Sequence, residues 1–405
     1  MAGTGLSQVI PLVLSPVLTR VYSPDDFGVL AIFSSIAAVA GVAVTGRYEL
    51  AIIIPKKDTD SIHIMALSIL LSCLGGCALM LAIIFLYDKF VKLSAVNQIG
   101  QWLYWVPLST VLIGVYTSLN YWNNRKSLYT RLALSRVIQS VGGIIPQILL
   151  GLFQTGPGGL VLGQLAGQFA VASTLGRSTL KENKDKINQI RWRRMRNLSI
   201  VYKKFPLYLI LAHGFHSASG HLPTILLSGF ANAATVGNFA LIQRIIGSPT
   251  VVLATAIGDV FRQEASQAYT KKNGCKKIYT NTFKRLFLVS LFPFILFYAM
   301  GAKLIILLFG LKWESAGQYA KILAPMFFLQ FVTKPLSSMF MIAGKQKHEL
   351  YWQLVLFVSS VGAFIFGFSS SLFSNPLSPF VCVYCFMYII NGLMSYRFAH
   401  GESGL

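Results

Sequence analysis

The chain is a succession of apolar stretches, each about as long as a bilayer is thick. They recur from one end of the 405 residues to the other, and few charges interrupt them. An α-helix of about 20 apolar residues spans the hydrocarbon core of a membrane, and within lipid its backbone polar groups are satisfied internally. The pattern predicts an all-α polytopic membrane protein with about 12 transmembrane helices. The predicted spans are 4–21, 27–54, 63–87, 101–122, 132–153, 158–176, 205–228, 233–258, 284–309, 318–343, 350–373 and 377–399.

Composition agrees with this class. Hydrophobic residues make up 54% of the chain and charged residues 12%, which is about half the charge of an ordinary soluble domain. The spacing of His, Cys, Asp and Glu is typical of neither a metal site nor a catalytic group. We therefore expect no catalytic residue, no metal and no cofactor beyond a coupling H⁺ or Na⁺.

The formal net charge of +22 would suit nucleic acid, but the cations are placed as in a membrane protein. With the linkers between spans numbered 1 to 11, the even-numbered linkers and the C-terminus hold 25 of the 35 Lys and Arg. Lys and Arg accumulate on the cytoplasmic side of membrane proteins. The asymmetry predicts cytoplasmic termini and leaves no segment for a nucleic-acid module. The odd-numbered linkers hold Arg20, Lys89, Lys92, Lys303, Lys312 and Lys321.

An internal match and a basic linker divide the chain. "KENKDKINQIRWRRMRNLSIVYKK" (181–204) separates six predicted spans from six. Gly28 and Gly237 lie at matching offsets in "SPDDFGVLAIF" and "NAATVGNFALI", and an acid follows each at nearly equal distance, Glu49 and Asp259. Together these features predict two six-helix bundles formed by parallel repeats. The predicted domains are an N-terminal bundle at 1–178, a basic cytoplasmic linker at 179–204 and a C-terminal bundle at 205–405.

The linker itself has apolar residues at roughly helical spacing among its cations. This pattern predicts an interfacial helix held on anionic headgroups. A regulatory or partner-docking role is the alternative. The apolar residues are Ile187, Ile190, Met195 and Leu198.

The stretch "TGRYELAIIIP" (45–55) places two charges in the second predicted span. Charge in a bilayer costs at least a few kcal/mol, so it needs a reason. Arg47 and Glu49 are two residues apart, so a continuous helix would point them to nearly opposite sides and keep them from pairing. Arg47 either snorkels to the cytoplasmic headgroups or lines a water-filled cavity between the bundles. Glu49 and Asp259, each near the cytoplasmic end of a span, are candidates for binding a coupling proton or sodium ion.

When the cations near the ends of the spans are counted with the linkers, four remain inside the predicted spans: Arg47, Arg136, Arg244 and Lys334. The side chain of Arg136 can reach the headgroups by snorkelling, whereas Arg244 and Lys334 lie deeper in their predicted spans. Four cations facing one cavity would bind an anionic substrate, and the bidentate fork of Arg suits phosphate.

Two other polar groups have structural explanations. Asp25 and Asp26 follow Ser23 and Pro24, an N-cap and a first helical position, at the positive end of a helix dipole. Three histidines fall on one side of the seventh span, where they line a lumen or are satisfied by neighbours, with a protonation role as the alternative. They are His213, His216 and His221.

Several stretches resemble Wzx-type polysaccharide flippases, in the polysaccharide-transporter branch of the MATE-like exporter superfamily. "LSPVLTRVYSPDDFGVLAIFSSIA" with "GRYELAIIIP" is similar to the start of that family. "LSRVIQSVGGIIPQILLGLF" with "GLVLGQLAGQ" resembles its fifth and sixth helices, and "LLFGLKWESAGQYAKILAPMFFLQFVTKPLSSMFMIAGKQK" its ninth-to-tenth helix region. The likeness covers most of the chain. Members usually have a few more residues before "GTGLSQ" and a small polar residue at position 334, so we expect an incomplete first helix and a local adaptation at Lys334.

The resemblance implies a MATE-like V-shaped pair of six-helix bundles that flips undecaprenyl-diphosphate-linked oligosaccharide across the bacterial inner membrane. It implies alternating access, in which the lipid diphosphate enters a cationic cavity open to the cytoplasm. Membrane lipids, a polysaccharide polymerase and a chain-length regulator are the candidate partners, and a monomer is expected.

Two other classes of membrane protein remain as alternatives. A MATE-type drug/cation antiporter would favour acids over bases in its cavity, whereas here the cations inside the spans outnumber the acids. A polysaccharide polymerase or ligase would use large external loops, and here the predicted external linkers are short. A non-enzymatic transporter is therefore predicted.

Overall fold

The structure is a computed structural model that describes residues 2–92, 98–272, 274–370, 372 and 375–400. Those residues form α-helices joined by turns and by short 3₁₀ and π segments. Nine of their helices are long and apolar enough to cross a membrane. The all-helical polytopic class is therefore confirmed. The nine are Pro24–Val44, Asp58–Tyr87, Gly100–Arg125, Tyr129–Leu152, Pro157–Glu182, Ala233–Thr270, Lys276–Phe309, Gln346–Ser369 and Ser378–Phe398.

The other three predicted spans coincide with helices whose geometry changes along their length. The helix of the first span is interrupted between Val13 and Ser15, and Pro11 and Pro16 lie on either side of this break. The seventh passes from a π turn into an α-helix at Ile210. The tenth stops at Thr333 and continues as a 3₁₀ turn at Pro335, because proline removes a backbone donor and crowds the preceding turn.

The contacts divide the chain into two compact units, Met1–Ala240 and Leu241–Leu405. The helix Ile210–Phe230 thus packs within the first unit, against Pro24–Val44. The arrangement of 1–178, 179–204 and 205–405 as two six-helix repeats stays a prediction.

The first unit contains α1 (Ala2–Val13), α2 (Ser15–Val21), α3 (Pro24–Val44), α4 (Asp58–Lys92), α5 (Val106–Arg125), α6 (Tyr129–Leu152), α7 (Pro157–Glu182), α8 (Lys184–Ile187), α9 (Trp192–Val201), α10 (Ile210–Phe230) and most of α11 (Ala233–Ile242).

The second unit contains a cluster of buried apolar side chains where the helices Ser248–Lys272, Lys276–Phe309 and Glu314–Thr333 meet. Phe261, Leu286 and Phe331 lie at its centre. Phe261 and Tyr279 pack edge to face with ring centroids 6.1 Å apart, an arrangement that aromatic rings prefer. The helices of this unit are α12 (Ser248–Lys272), α13 (Lys276–Phe309), α14 (Glu314–Thr333), α15 (Met339–Ile342), α16 (Gln346–Ser369) and α17 (Ser378–Phe398).

The N-terminus of α3 is capped as the sequence predicts. The backbone amide of Asp26 donates to the Ser23 hydroxyl at 3.3 Å, and the backbone amide of Ser23 donates to the Asp26 carboxylate at 2.9 Å. Pro24 occupies the first helical position. This reciprocal capping box explains why an acid occupies position 26, so the structural interpretation of these acids is confirmed.

Two glycines allow α3 and α11 to touch through their backbones. A Cβ on Gly28 would lie 1.9 Å from the carbonyl oxygen of Ala233, and a Cβ on Gly237 would lie 1.8 Å from the carbonyl oxygen of Pro24. Pro24 and Ala233 are the first residues of α3 and α11. Each helix therefore presents its fifth residue to the first residue of the other. The repeat offset found in the sequence corresponds to a symmetric helix crossing.

The basic linker packs on the protein. Its four apolar side chains join a core formed by α4, α5, α7 and the segment after α3. Met195 and Leu198 are buried there. The first unit itself therefore covers the apolar side chains that suggested an interfacial helix, and the placement of this helix on anionic headgroups stays a prediction. Trp192, Ile200 and Val201 of the same segment are exposed.

Candidate functional site: a buried Arg–Glu–His chain

The second predicted span ends earlier than its hydropathy indicates. Helix α3 stops at Val44, Gly46 and Arg47 take positive φ angles of 60° and 57°, and a 3₁₀ helix then runs over Tyr48–Ile53. A residue other than glycine at such a φ costs conformational energy and is a feature of functional sites. The break changes the directions of the side chains that follow it.

The break brings Arg47 and Glu49 together. Nη1 of Arg47 lies 3.0 Å from Oε1 of Glu49, so the expectation that these two side chains point apart is wrong. That expectation assumed a continuous α-helix, in which residues two apart do not face each other. The left-handed conformation at Arg47 and the 3₁₀ turn after it replace that geometry.

The pair is buried and incompletely satisfied. The Glu49 side chain is 0% exposed and that of Arg47 is 14% exposed. Their approach is an ion pair without the angle of a hydrogen bond. Within the part of the chain that the structure describes, neither Glu49 carboxylate oxygen nor Nε of Arg47 has a partner with full hydrogen-bond geometry, although the Thr45 hydroxyl and the Glu49 backbone lie close to the carboxylate. A buried polar atom left in that state costs about 1–3 kcal/mol, so the site retains capacity to bind a polar ligand.

His213 extends the pair into a chain of three side chains. Its Nδ1 lies 2.5 Å from Nη2 of Arg47. Arginine only donates hydrogen bonds, so Nδ1 must be the acceptor and the ring must be neutral with its proton on Nε2. The helix α10, which carries His213, packs against α3. The sequence predicts His213 on one side of its span but contains no signal that would pair it with Arg47. The side chain of His216 lies outside the described residues.

Hydrogen bonds to the linker and to α5 also hold the 3₁₀ segment. The Tyr48 hydroxyl donates to the backbone carbonyl of Ser199 in the linker at 2.9 Å. Nη1 of Arg125 donates to the carbonyl of Ile53 at 2.9 Å, and its Nε donates to Asp58 at 3.2 Å.

Asp58 pairs with three cations from two segments of the chain. Besides Arg125, it accepts from Lys186 of the linker at 3.0 Å and from Lys126. Arg194 of the linker pairs with Asp60 at 2.8 Å. The basic linker is therefore fastened to the start of α4 by charge as well as by apolar packing.

The remaining predicted residues lie elsewhere. Arg136 is half-buried in the second turn of α6. Arg244, Lys334 and Asp259 belong to the second unit. Arg244 lies in the π turn Gln243–Gly247, and Lys334 is exposed just after α14. The shared cationic cavity of Arg47, Arg136, Arg244 and Lys334 stays a prediction.

Asp259 lies on the surface of α12, beside a cation of the same helix. Its side chain is 48% exposed, and its Oδ1 lies 3.7 Å from Nη1 of Arg262, three residues further along α12. This is the spacing of an ordinary ion pair on a helix surface.

The chain is similar to known proteins in sequence and in fold. Residues 17–318 match the sequence model of a family described as polysaccharide biosynthesis protein. No curated protein matches the chain by sequence. Among solved structures, the fold is similar to that of the lipid II flippase MurJ in an inward closed conformation, with a TM-score of 0.75 and 13% identity over 97% of this chain and 86% of that one.

Two transporters of the MOP superfamily are also similar. An inward-facing multidrug resistance MATE family transporter gives a TM-score of 0.72 and 14% identity over 96% of this chain and 93% of that one. A transporter from Pyrococcus furiosus, described by a binding pocket of reverse polarity, gives a TM-score of 0.52 and 14% identity over 98% and 92% of the two chains.

At these low sequence identities, the similarity to the solved structures establishes the fold alone. The chain is a multi-pass integral membrane protein with the all-helical fold shared by MATE transporters and MurJ. The family match adds a biological context, because it extends over more than half of the 405 residues. The chain belongs to the polysaccharide biosynthesis protein family.

Proposed function

We propose that this protein is a Wzx-type flippase, which moves undecaprenyl-diphosphate-linked oligosaccharide repeat units across the bacterial inner membrane by alternating access. The family match over residues 17–318 carries the proposal, because it links a multi-pass membrane protein to polysaccharide assembly. The similarity in fold to MurJ, a lipid II flippase, supports a lipid-linked sugar as the substrate. No chemical step is required of the protein, which is proposed to be a transporter without enzymatic activity.

The diphosphate is the part of this substrate that the cations suit. Arg47 is largely buried, and its Nε has no hydrogen-bond partner among the described residues. A phosphate oxygen would accept from that Nε, and the planar fork of arginine matches phosphate geometry. We propose that Arg47, Arg136, Arg244 and Lys334 together hold the diphosphate or an acidic sugar. Glu49 and Asp259 are the candidates for binding the coupling H⁺ or Na⁺.

A reconstituted flipping assay tests the proposed function. Purified protein in liposomes would receive undecaprenyl-diphosphate-linked oligosaccharide, and a sugar-oxidising enzyme added outside would report the fraction exposed. Protein-containing vesicles should expose nearly all of the lipid-linked sugar, and protein-free vesicles about half. Equal exposure in both, from protein that is monodisperse and correctly inserted, would refute the proposal.

A MATE-type drug/cation antiporter is the second candidate, and the similarity in fold to a multidrug MATE transporter favours it. Cationic drugs would be repelled by Arg47 unless Glu49 dominated the site. We expect no ethidium efflux when the protein is produced in cells that lack their own efflux pumps. Efflux that depends on Glu49 would support the antiporter over the flippase.

Topology is tested separately by cysteine labelling. Asn188 in the linker and Lys312 between α13 and α14 are exposed and are predicted to lie on opposite sides of the membrane. In a variant without the five native cysteines, a membrane-impermeant maleimide should label Lys312→Cys in intact cells. It should label Asn188→Cys only after permeabilisation, and labelling of Asn188→Cys from outside would overturn cytoplasmic placement of the linker.

A further inference from the structure

The Glu49–Arg47–His213 chain joins two parts of the molecule that are far apart in sequence. Glu49 and Arg47 belong to the break after α3, whereas His213 lies in the first turn of α10. The contact between Nη2 of Arg47 and Nδ1 of His213 is a hydrogen bond between side chains. It therefore depends on the protonation state of one of them.

The chemistry of the contact allows only one protonation state. Arginine remains charged at any physiological pH, and it can only donate. Nδ1 of His213 accepts that bond through its lone pair. A proton added to Nδ1 occupies the same lone pair and places two cations side by side, so the bond breaks and the two side chains must separate.

We propose that His213 is a proton-binding residue of this transporter, and that proton uptake at its Nδ1 releases α10 from Arg47. The proton adds to the imidazole and no covalent bond breaks. Arg47 then keeps its ion pair with Glu49 and gains a free Nη2–H for an anionic group. Protonated His213 and an anion on Arg47 consequently stabilise each other, as reciprocal coupling requires.

Glu49 is the other titratable group shown in contact with Arg47, and the remaining charged or titratable groups near this contact lie on the neighbouring elements. Helix α3 carries charge only at Asp25 and Asp26, at the end remote from Arg47. Tyr121 of α5 lies close enough to interact electrostatically with Glu49 and Arg47. On α10 itself, Nδ1 of His221 lies 3.3 Å from the Ser35 hydroxyl. Lys203 and Lys204 precede α10, and Tyr208 is exposed on the turn before it. His213 is therefore the group whose titration changes the contact with Arg47 directly.

The inference deepens the proposed function, since it names a group that couples protons to binding. Its test needs no transported substrate. Spin labels at Ile54 and Leu207, both exposed and on either side of the contact, would report the distance between the break and α10 in lipid nanodiscs. Histidine titrates between about pH 5 and 8, so the distance would be measured at both limits by pulsed electron paramagnetic resonance.

We expect one narrow distance distribution at pH 8 and a longer, broader one at pH 5. His213→Asn keeps an oxygen acceptor near the position of Nδ1 but cannot take a proton, so it should show the pH 8 distribution at both values. His213→Lys should show the pH 5 distribution at both. His221→Asn, the matched control on the same helix, should respond as the wild type does.

A pH response that persists in His213→Asn would overturn the inference, and so would a wild type without any response. A shift of the His213 imidazole ¹⁵N resonances between pH 8 and 5, lost in His213→Asn, would confirm that the proton binds there. The flipping assay is independent of these readouts. Failure to flip with an intact His213 response would refute the proposed function alone.

Discussion

Glu49 and Asp259 follow Gly28 and Gly237 at nearly equal distances in the sequence, yet their environments in the structure differ. Glu49 is fully buried and paired with Arg47, which in turn contacts His213 from a helix that is distant in sequence. Asp259 is 48% exposed and lies 3.7 Å from Arg262, on its own helix. Glu49 is thus part of a contact between segments that are remote in sequence, whereas Asp259 forms an ion pair on the surface of one helix. Matching offsets in a repeat therefore do not predict matching roles.

The glycines of the same sequence match lie, in contrast, in equivalent environments. Gly28 and Gly237 each permit the backbone of the other helix to approach to contact distance. A close backbone crossing tolerates no side chain, whereas the environment of an acid depends on what lies around it. The two matching segments thus share a backbone contact and differ where charge is placed.

The largest expected effect comes from removing Arg47. Arg47→Ala leaves a buried carboxylate without its cation, which typically costs about 3–5 kcal/mol, and it removes a group proposed to hold the diphosphate. Melting in detergent should show a large drop, and flipping should be abolished. Adding Glu49→Gln should restore much of the melting temperature but none of the flipping. Normal flipping by Arg47→Ala would remove Arg47 from the proposed substrate site.

The acids themselves give the sharpest contrast. Glu49→Gln should slow flipping by about tenfold or more, a size typical of coupled sites, while the protein level stays near normal. Asp259→Asn, the matched change at the acid that follows Gly237, should slow flipping less, because the exposed pair of Asp259 with Arg262 contributes little to stability. Flipping that is not slowed at all would remove Asp259 from the ion-coupling candidates. Equal losses in the two variants would contradict the distinction between a buried and a surface acid.

The glycine crossing should be equally sensitive from both sides. Gly28→Ala and Gly237→Ala each force a Cβ against a backbone carbonyl, and overpacking of this kind costs about 1–3 kcal/mol. Gly220 of α10 has open space at its Cβ position, so Gly220→Ala should be neutral or slightly stabilising. Thermal melting of the three variants measures the difference, and a neutral Gly237→Ala would show that the crossing is asymmetric.

The smallest effects concern two other arginines, Arg125 at the end of the 3₁₀ segment and Arg262 beside Asp259. Arg125 donates to Asp58 and to the carbonyl of Ile53, and its loss frees the end of the 3₁₀ segment. Arg125→Ala should lower stability by about 1–2 kcal/mol, as expected for hydrogen bonds to and from charged groups. Arg262→Ala should cost less than about 0.5 kcal/mol, the usual contribution of an exposed pair within one helix. Similar losses would mean that the Asp259 region is more than a surface pair.

Much of the architecture could be predicted from the sequence, because span length and hydropathy act locally. Nine predicted spans coincide with helices able to cross a membrane, and the role of Ser23, Pro24 and Asp26 at the start of α3 was predictable from capping chemistry. The repeat offset of Gly28 and Gly237 was visible as well, although its meaning as a helix crossing was not.

The site was less predictable, since it depends on a local break and on distant contacts. Hydropathy continues through "AIIIP", so it indicates one span where the backbone leaves the helix at Gly46. The pairing of Arg47 with Glu49 follows from that break. The contact with His213 joins residues 166 positions apart, and a single sequence carries no signal for such a pair. The packing of the linker on the first unit was not predictable either, because an amphipathic face suits a protein core as well as a membrane surface.

The crossing of Gly28 and Gly237 also bears on how the protein is made. These residues are separated by roughly 200 positions, and contacts at such a range form late and slowly. A ribosome adds about 5–20 residues per second, so α3 waits about 10–40 s for its partner helix to be synthesised. Throughout that interval the small-residue face around Gly28 is open to lipid and to other nascent helices. The first half of this protein therefore cannot complete its packing until the chain is well into its second half.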